Sequence, residues 1–323
     1  MRPGLTIALA LAACGQSPGA TPSDSGAHGD AQATADAPTA DGHVPVDGQQ
    51  VSPDGGTYRT SLGVCWTDVA CPRVFALAHG GAWDAATVPY DSNAALAAAF
   101  ADGDDGVKID VRVTVDNVPV IAHSSPLQIY ESLDCSGKKI EEMTAAEVTA
   151  CHRFPSSTET FQRLDDVLGY LRGKMVVQLC VKLTTDFART IAEVHAQGAE
   201  DFAFIEVNTG DMPLVATLAG ADTLRYLVNV ASTLGDVDTL LAAHYPGAFM
   251  YEIDPGVALG TLVTDKLHPA GIRSFTYDSA AAPTTDQLSA HYQAGYDVVS
   301  SQSGPNGVAA RQQANTAHGV IPP

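Results

Sequence analysis

The sequence predicts one α/β domain, a single (β/α)8 barrel, and three observations carry that expectation. Short apolar runs alternate with amphipathic stretches from Val74 onward. Eight such runs fit between Val74 and Ser300, the number one closed barrel needs. Titratable residues end or interrupt several of the runs, which is where barrel enzymes set their catalytic groups.

In chain order, the first strand is expected at 74–78 and runs into His79-Gly80-Gly81, with a helix at 93–101. The second, 106–113, carries Lys108, Asp110 and Arg112 at alternate positions, hence on one face. Only 114–117 separates Val113 from Val118, too short for a parallel crossover, so 118–122 must return antiparallel as a hairpin. With Val113 facing Val118, Lys108 lies opposite His123, and Lys108, Asp110 and His123 gather at the rim. An insertion at about 128–157 would cover that face. Further strands are expected at 174–181, 202–207, 224–228, 249–253, 272–277 and 296–300, with helices at 184–197, 214–219, 237–243 and 285–294.

Ahead of the barrel, Met1-Arg2 and a short apolar stretch ending Leu11-Ala12-Ala13-Cys14 read as a secretory signal. The last four residues resemble a bacterial lipobox, so 1–13 is expected to be removed and Cys14 lipidated; an ordinary signal with an incidental cysteine is the alternative. Gly15 gives no acidic signal for inner-membrane retention. Residues 14–58 are small, polar and acidic, without Lys or Arg, and are expected to form a disordered tether before a domain at 59–323. The chain is thus expected outside the cytoplasm, anchored by lipid to a bacterial envelope membrane, the outer membrane included. The net charge of −20 argues against nucleic acid as a partner, and a monomer is expected. An exported chain permits bridges between Cys65 and Cys71 and between Cys135 and Cys151, leaving Cys180 in an apolar strand.

Four segments together carry a family resemblance: His79-Gly80-Gly81, Asp105-Gly106-Val107-Lys108-Ile109-Asp110-Val111, Val118-Pro119-Val120-Ile121-Ala122-His123 and Leu179-Cys180-Val181-Lys182. In order and spacing they resemble the glycerophosphodiester phosphodiesterases, which use a barrel of the phospholipase C-like phosphodiesterase type. The resemblance implies that His79 and His123 form an acid/base pair acting on a glycerophosphodiester or related lipid head group. It also implies Ca²⁺ or Mg²⁺ held by three carboxylates, of which only Asp110 is present. Lys108 and Cys180 stand where the other two are expected, Gly80 replaces an arginine, Ser124 an acid and Tyr90 a glutamate, while Lys182 matches. A lone carboxylate does not make a hard-cation site, and a soft thiol does not rescue it.

Two readings follow. Lys108 supplies the positive charge in place of the cation, with Lys182 adding to it: three carboxylates and a dication sum to −1, Lys108 and Asp110 to zero. Bacterial phosphatidylinositol-specific phospholipases C, on a similar barrel, also pair two histidines with a basic residue. Alternatively, the barrel binds a phosphorylated or polyol ligand without cutting it. Asp110 serves as an orienting group or residual ligand, or simply pairs with Lys108. Cys180 reads as a small core residue. Glu206 and Glu252 are rim residues or substitute ligands, and His152, His244, His268 and His291 are expected at the surface.

Overall fold

Eight parallel strands close on themselves in the computed structural model, which describes residues 65–156, 158–230 and 234–320. The signal, Cys14 and the 14–58 tether lie outside the described residues. The ring comprises β1 (Phe75–His79), β2 (Gly106–Val113), β4 (Val176–Val181), β5 (Ala203–Asn208), β6 (Tyr226–Asn229), β7 (Ala248–Glu252), β8 (Arg273–Asp278) and β9 (Val298–Ser301), closed by pairing of β1 with both β9 and β2. The strands are apolar because both faces are covered: β4, Val-Val-Gln-Leu-Cys-Val, is buried throughout. The expected (β/α)8 barrel is the fold observed.

Eight helices accompany the strands among the described residues: α1 (Asn93–Asp102), α2 (Ala145–Thr149), α3 (Leu164–Leu171), α4 (Phe187–Ala196), α5 (Met212–Val215), α6 (Leu234–Ala243), α7 (Thr285–Gln293) and α8 (Gly304–Ala317). Local chemistry sets their ends. Ser92 caps α1 by accepting from the Ala95 amide, and capping boxes start α2 (Thr144, Glu147) and α7 (Thr284, Gln287). The helix expected at 214–219 is instead one turn starting earlier, with Pro213 in its first turn. The one expected at 184–197 opens as a 3-10 turn, Thr184–Asp186.

The hairpin differs from expectation by one residue. β3 (Pro119–Ile121) pairs antiparallel with β2, Val113 facing Pro119 and Val111 facing Ile121. Thr114 and Val118 close the turn, and Asn117 takes a left-handed conformation (φ 62°) that a three-residue loop needs. The loop therefore holds three residues, not four, and Lys108 does not lie opposite His123. Because β1 ends at His79, β3 takes over the vacated edge of β2. The Gly80 amide donates to Lys108 O, and the Ala122 amide to Asp110 O, two residues further along β2.

The insertion forms a satellite core of Val120, Leu127, Ile140, Met143, Val148 and Phe161, with Cys135 and Cys151 joined in a disulfide. At the opposite end of the barrel, a Cys65–Cys71 disulfide loop presents Trp66 to Phe75, Phe204 and Phe249, with ring centroids 4.9, 5.5 and 6.1 Å away. The buried Arg273 guanidinium holds that loop by donating to the Cys65, Trp66 and Cys71 carbonyls. Trp66, 2% exposed, is thus the plug of the barrel floor. Trp66→Ala should lower unfolding free energy by about 3–5 kcal/mol, measured by urea denaturation; a change under about 1 kcal/mol would show that the floor closes without it.

Candidate active site

The edge handover on β2 determines where the two histidines stand. His79 is the last residue of β1, level with Lys108 in the parallel register, and His123 follows β3 directly. His79, Lys108 and Asp110 are buried at 4%, 2% and 0% exposure, while His123 and Lys182 are partly exposed. The sequence-derived cluster is therefore assembled, although by a different register.

Asp110 is its hub. One carboxylate oxygen, Oδ1, accepts from Lys108 Nζ and from Lys182 Nζ, the latter at 2.7 Å. The other, Oδ2, accepts from the Tyr90 hydroxyl at 2.9 Å. That hydroxyl oxygen also lies 3.2 Å from Lys108 Nζ and 3.4 Å from His79 Nδ1. The Asp110 amide donates to Asp91 Oδ2 at 3.2 Å. His123 is set from the insertion: its Nδ1 lies 3.1 Å from Ser124 Oγ and 3.2 Å from Tyr130 Oη. Glu131 Oε1 accepts from the His123 and Ser124 amides, both at 3.0 Å, while Arg112 donates to the His123 carbonyl.

Burial alone would raise the Asp110 carboxyl, yet Lys108 and Lys182 outweigh it and hold Asp110 well below the usual carboxylate range. Burial works against a charged Lys108, but Asp110 and Asp91 overcome it and raise the ammonium. Lys182 is lowered by burial, partly offset by Asp110. Burial, then Lys108, pushes His79 well down. Burial is also the main cause at His123, where Asp110 opposes it and the two lysines reinforce it, leaving it at about 4. Both imidazoles are thus neutral at pH 7 beside a net positive lysine–carboxylate cluster.

Sequence reasoning noted Tyr90 only as a lost glutamate; the structure makes it a contact of three site residues. Gly80 explains the pairing. It sits at φ 74°, and a Cβ there would fall 2.0 Å from the Tyr90 ring. Tyr90 thus occupies the space into which a residue 80 side chain would start. Arg153, buried and missed in the sequence, donates to the Tyr90 and Ile121 carbonyls at 2.9 and 2.6 Å and so ties the Tyr90 segment to β3. Tyr277 stacks on His79 with centroids 4.2 Å apart. Below lie Gln178 and Glu206, hydrogen-bonded at 2.7 Å, and Glu252, which with His79, Lys108, Tyr277 and Ser300 line one pocket. Burial raises both glutamates, Glu252 further through Glu206. His268 and His291, expected as surface groups, are half-buried and paired with Asp297 and Asp278, at 3.0 and 2.9 Å.

A divalent cation of the kind the resemblance implies does not fit this donor set. Both Asp110 oxygens are engaged, one by two ammonium groups that repel a dication. Cys180, expected as an unpaired core residue, lies opposite Asp110 in the β2–β4 register and is instead disulfide-bonded, so it offers no thiolate to a metal.

The model of the Glycerophosphoryl diester phosphodiesterase family matches residues 84–249. No curated protein matches the sequence. Among solved structures, a glycerophosphodiester phosphodiesterase from Agrobacterium tumefaciens aligns at 20% identity over 72% of this chain and 98% of its own, with a TM-score of 0.59. One from Parabacteroides distasonis aligns at 17% identity over 79% and 93%, with a TM-score of 0.60. An Oleispira antarctica phosphodiesterase, solved with the product sn-glycerol-3-phosphate, aligns at 16% identity over 76% and 99%, with a TM-score of 0.58.

The electrostatics make a direct expectation. In labelled protein, the His123 imidazole should titrate near 4 by NMR, and Lys182→Met should raise that value by removing a nearby cation. Titration of His123 near 6.5 in the unmodified chain would show that neither burial nor the lysines hold the ring down.

Proposed function

We propose that this chain, which belongs to the glycerophosphoryl diester phosphodiesterase family, uses His79 and His123 as its acid/base pair on glycerophosphodiesters or related lipid head groups, with Lys108 and Lys182 on the phosphoryl oxygens. Family membership makes it a phosphodiesterase. The observation that carries the finer reading is the convergence of two neutral imidazoles on Lys108 and Lys182, both held by Asp110.

One neutral imidazole takes the proton of the attacking hydroxyl, either a water or the substrate's own adjacent hydroxyl. The new P–O bond forms as the bond to the leaving alcohol breaks, and the other histidine, as imidazolium, protonates that alcohol. The free site keeps both rings neutral, so one proton must be taken up with substrate. A phosphodiester monoanion supplies the reason: burial, reinforced by the two lysines, depresses both histidines, and the anion offsets the lysine part. Lys108 and Lys182 then face charge spread over the phosphoryl oxygens in a site largely closed to water. Asp110 orients both ammonium groups, and Tyr90, bonded to Asp110, steadies His79 from behind.

The occupied Asp110 carboxylate supports a reaction without a metal, as does the charge that Lys108 brings to the position of an expected carboxylate. The Oleispira enzyme, whose structure holds sn-glycerol-3-phosphate, supports a small phosphodiester as ligand. We also place the chain outside the cytoplasm, lipidated on Cys14 and tethered by 14–58; mass spectrometry of the processed N-terminus tests this.

The test is hydrolysis of a panel of glycerophosphodiesters and phosphatidylinositol by the full chain and by His79→Ala and His123→Ala. Each variant should lose about 10²–10⁴-fold in kcat. Unchanged turnover in either variant ends the mechanism. Failure of the unmodified chain on every substrate would instead leave a barrel that binds a phosphorylated or polyol ligand without cutting it.

A further inference from the structure

Among the described residues, the large apolar side chains that stand exposed are Val115, Ile129, Leu133, Leu183 and Leu214, at 61, 58, 66, 39 and 49%. All five lie on connections leaving the C-terminal ends of strands. Val115 is in the β2–β3 turn, Ile129 and Leu133 in the insertion after β3, Leu183 directly after β4, and Leu214 in α5 after β5. Among the described side chains, neither the floor of the barrel nor the other helices expose one. The collar is therefore confined to the end that carries the site, over the sector from β2 to β5.

It also adjoins the reacting groups in sequence. Leu183 follows Lys182, whose ammonium is on Asp110. Ile129 precedes Tyr130, whose hydroxyl meets His123, and Glu131, which holds the His123 amide. Four of the five stand between polar neighbours: Thr114 and Asp116, Gln128 and Tyr130, Ser132 and Asp134, Lys182 and Thr184. Isolated apolar tips on separate loops do not form the packed apolar core of a protein interface. A fluid lipid boundary accepts each tip independently. No helix among the described residues is long and apolar enough to cross a membrane, so the contact is superficial.

From this we propose that the collar docks on a zwitterionic lipid surface, and that the site draws its phosphodiester from an acylated lipid in that surface. This rests on the phosphodiesterase reading above and narrows its substrate class. A chain of net charge −20 selects against an anionic surface, and neutral head groups match it.

The test compares the full chain, produced without acylation of Cys14 so that no lipid anchor contributes, with the triple variant Ile129→Ser, Leu133→Ser, Leu183→Ser made the same way, whose residues touch none of the reacting groups. Co-sedimentation with phosphatidylcholine vesicles should fall about tenfold or more in the variant. Hydrolysis of vesicle-borne phosphodiester should fall with it, while hydrolysis of soluble glycerophosphocholine and the melting temperature stay unchanged. Equal vesicle binding by both proteins would overturn the proposal, as would binding that requires anionic lipid. Dimerisation of the unmodified chain that the variant abolishes, without vesicle binding, would assign the collar to a second copy and also overturn it. Collar-dependent vesicle binding without hydrolysis of any substrate would support the docking surface and overturn the phosphodiesterase reading instead.

Discussion

The site is organised around a carboxylate that carries two ammonium groups in the barrel's interior. Burying charge is costly unless each charge is paired and hydrogen-bonded. Asp110 meets that condition with Lys108 and Lys182 on one oxygen and the Tyr90 hydroxyl on the other. Removing one member of such a buried pair typically costs about 3–5 kcal/mol, so the cluster holds itself in place before any ligand arrives. It leaves positive charge beside two neutral imidazoles, an arrangement suited to an anion rather than to a dication.

Backbone register delivers the histidines to that charge. A short β1 leaves the upper edge of β2 unpaired, and β3 fills it, so His79 and His123 end on successive steps of one strand edge. The insertion then grips His123 through Glu131 and Tyr130, and its own satellite core and disulfide give it rigidity. Positioning thus comes from pairing and burial, with little left to loop flexibility.

Much of this was legible in the chain itself. Barrel strands buried on both faces are near-continuous apolar runs, so eight of them stood out, and the short gap before Val118 dictated a hairpin. The motif residues His79, Lys108, Asp110 and His123 are identifiable because each ends or interrupts such a run, whereas Lys182 is singled out by the family resemblance. The register was not legible, because Asn117 in a left-handed conformation turns a four-residue spacer into a three-residue loop. Arg153, and the part Tyr90 plays beyond replacing a glutamate, are not legible for a different reason. Both residues come from connections whose path depends on tertiary packing, and only the space left by Gly80 shows why a tyrosine fits. The pairing of His268 and His291 with Asp297 and Asp278 likewise joins residues distant in sequence.

In the proposed mechanism, lysine charge held at Asp110 does the work that the family resemblance would assign to a cation. The most direct measurement is the rate of glycerophosphocholine hydrolysis in EDTA and again after Ca²⁺ or Mg²⁺ is added in excess. A rate unchanged by either treatment is the predicted result. Activity abolished by EDTA and restored by the cation would contradict the account.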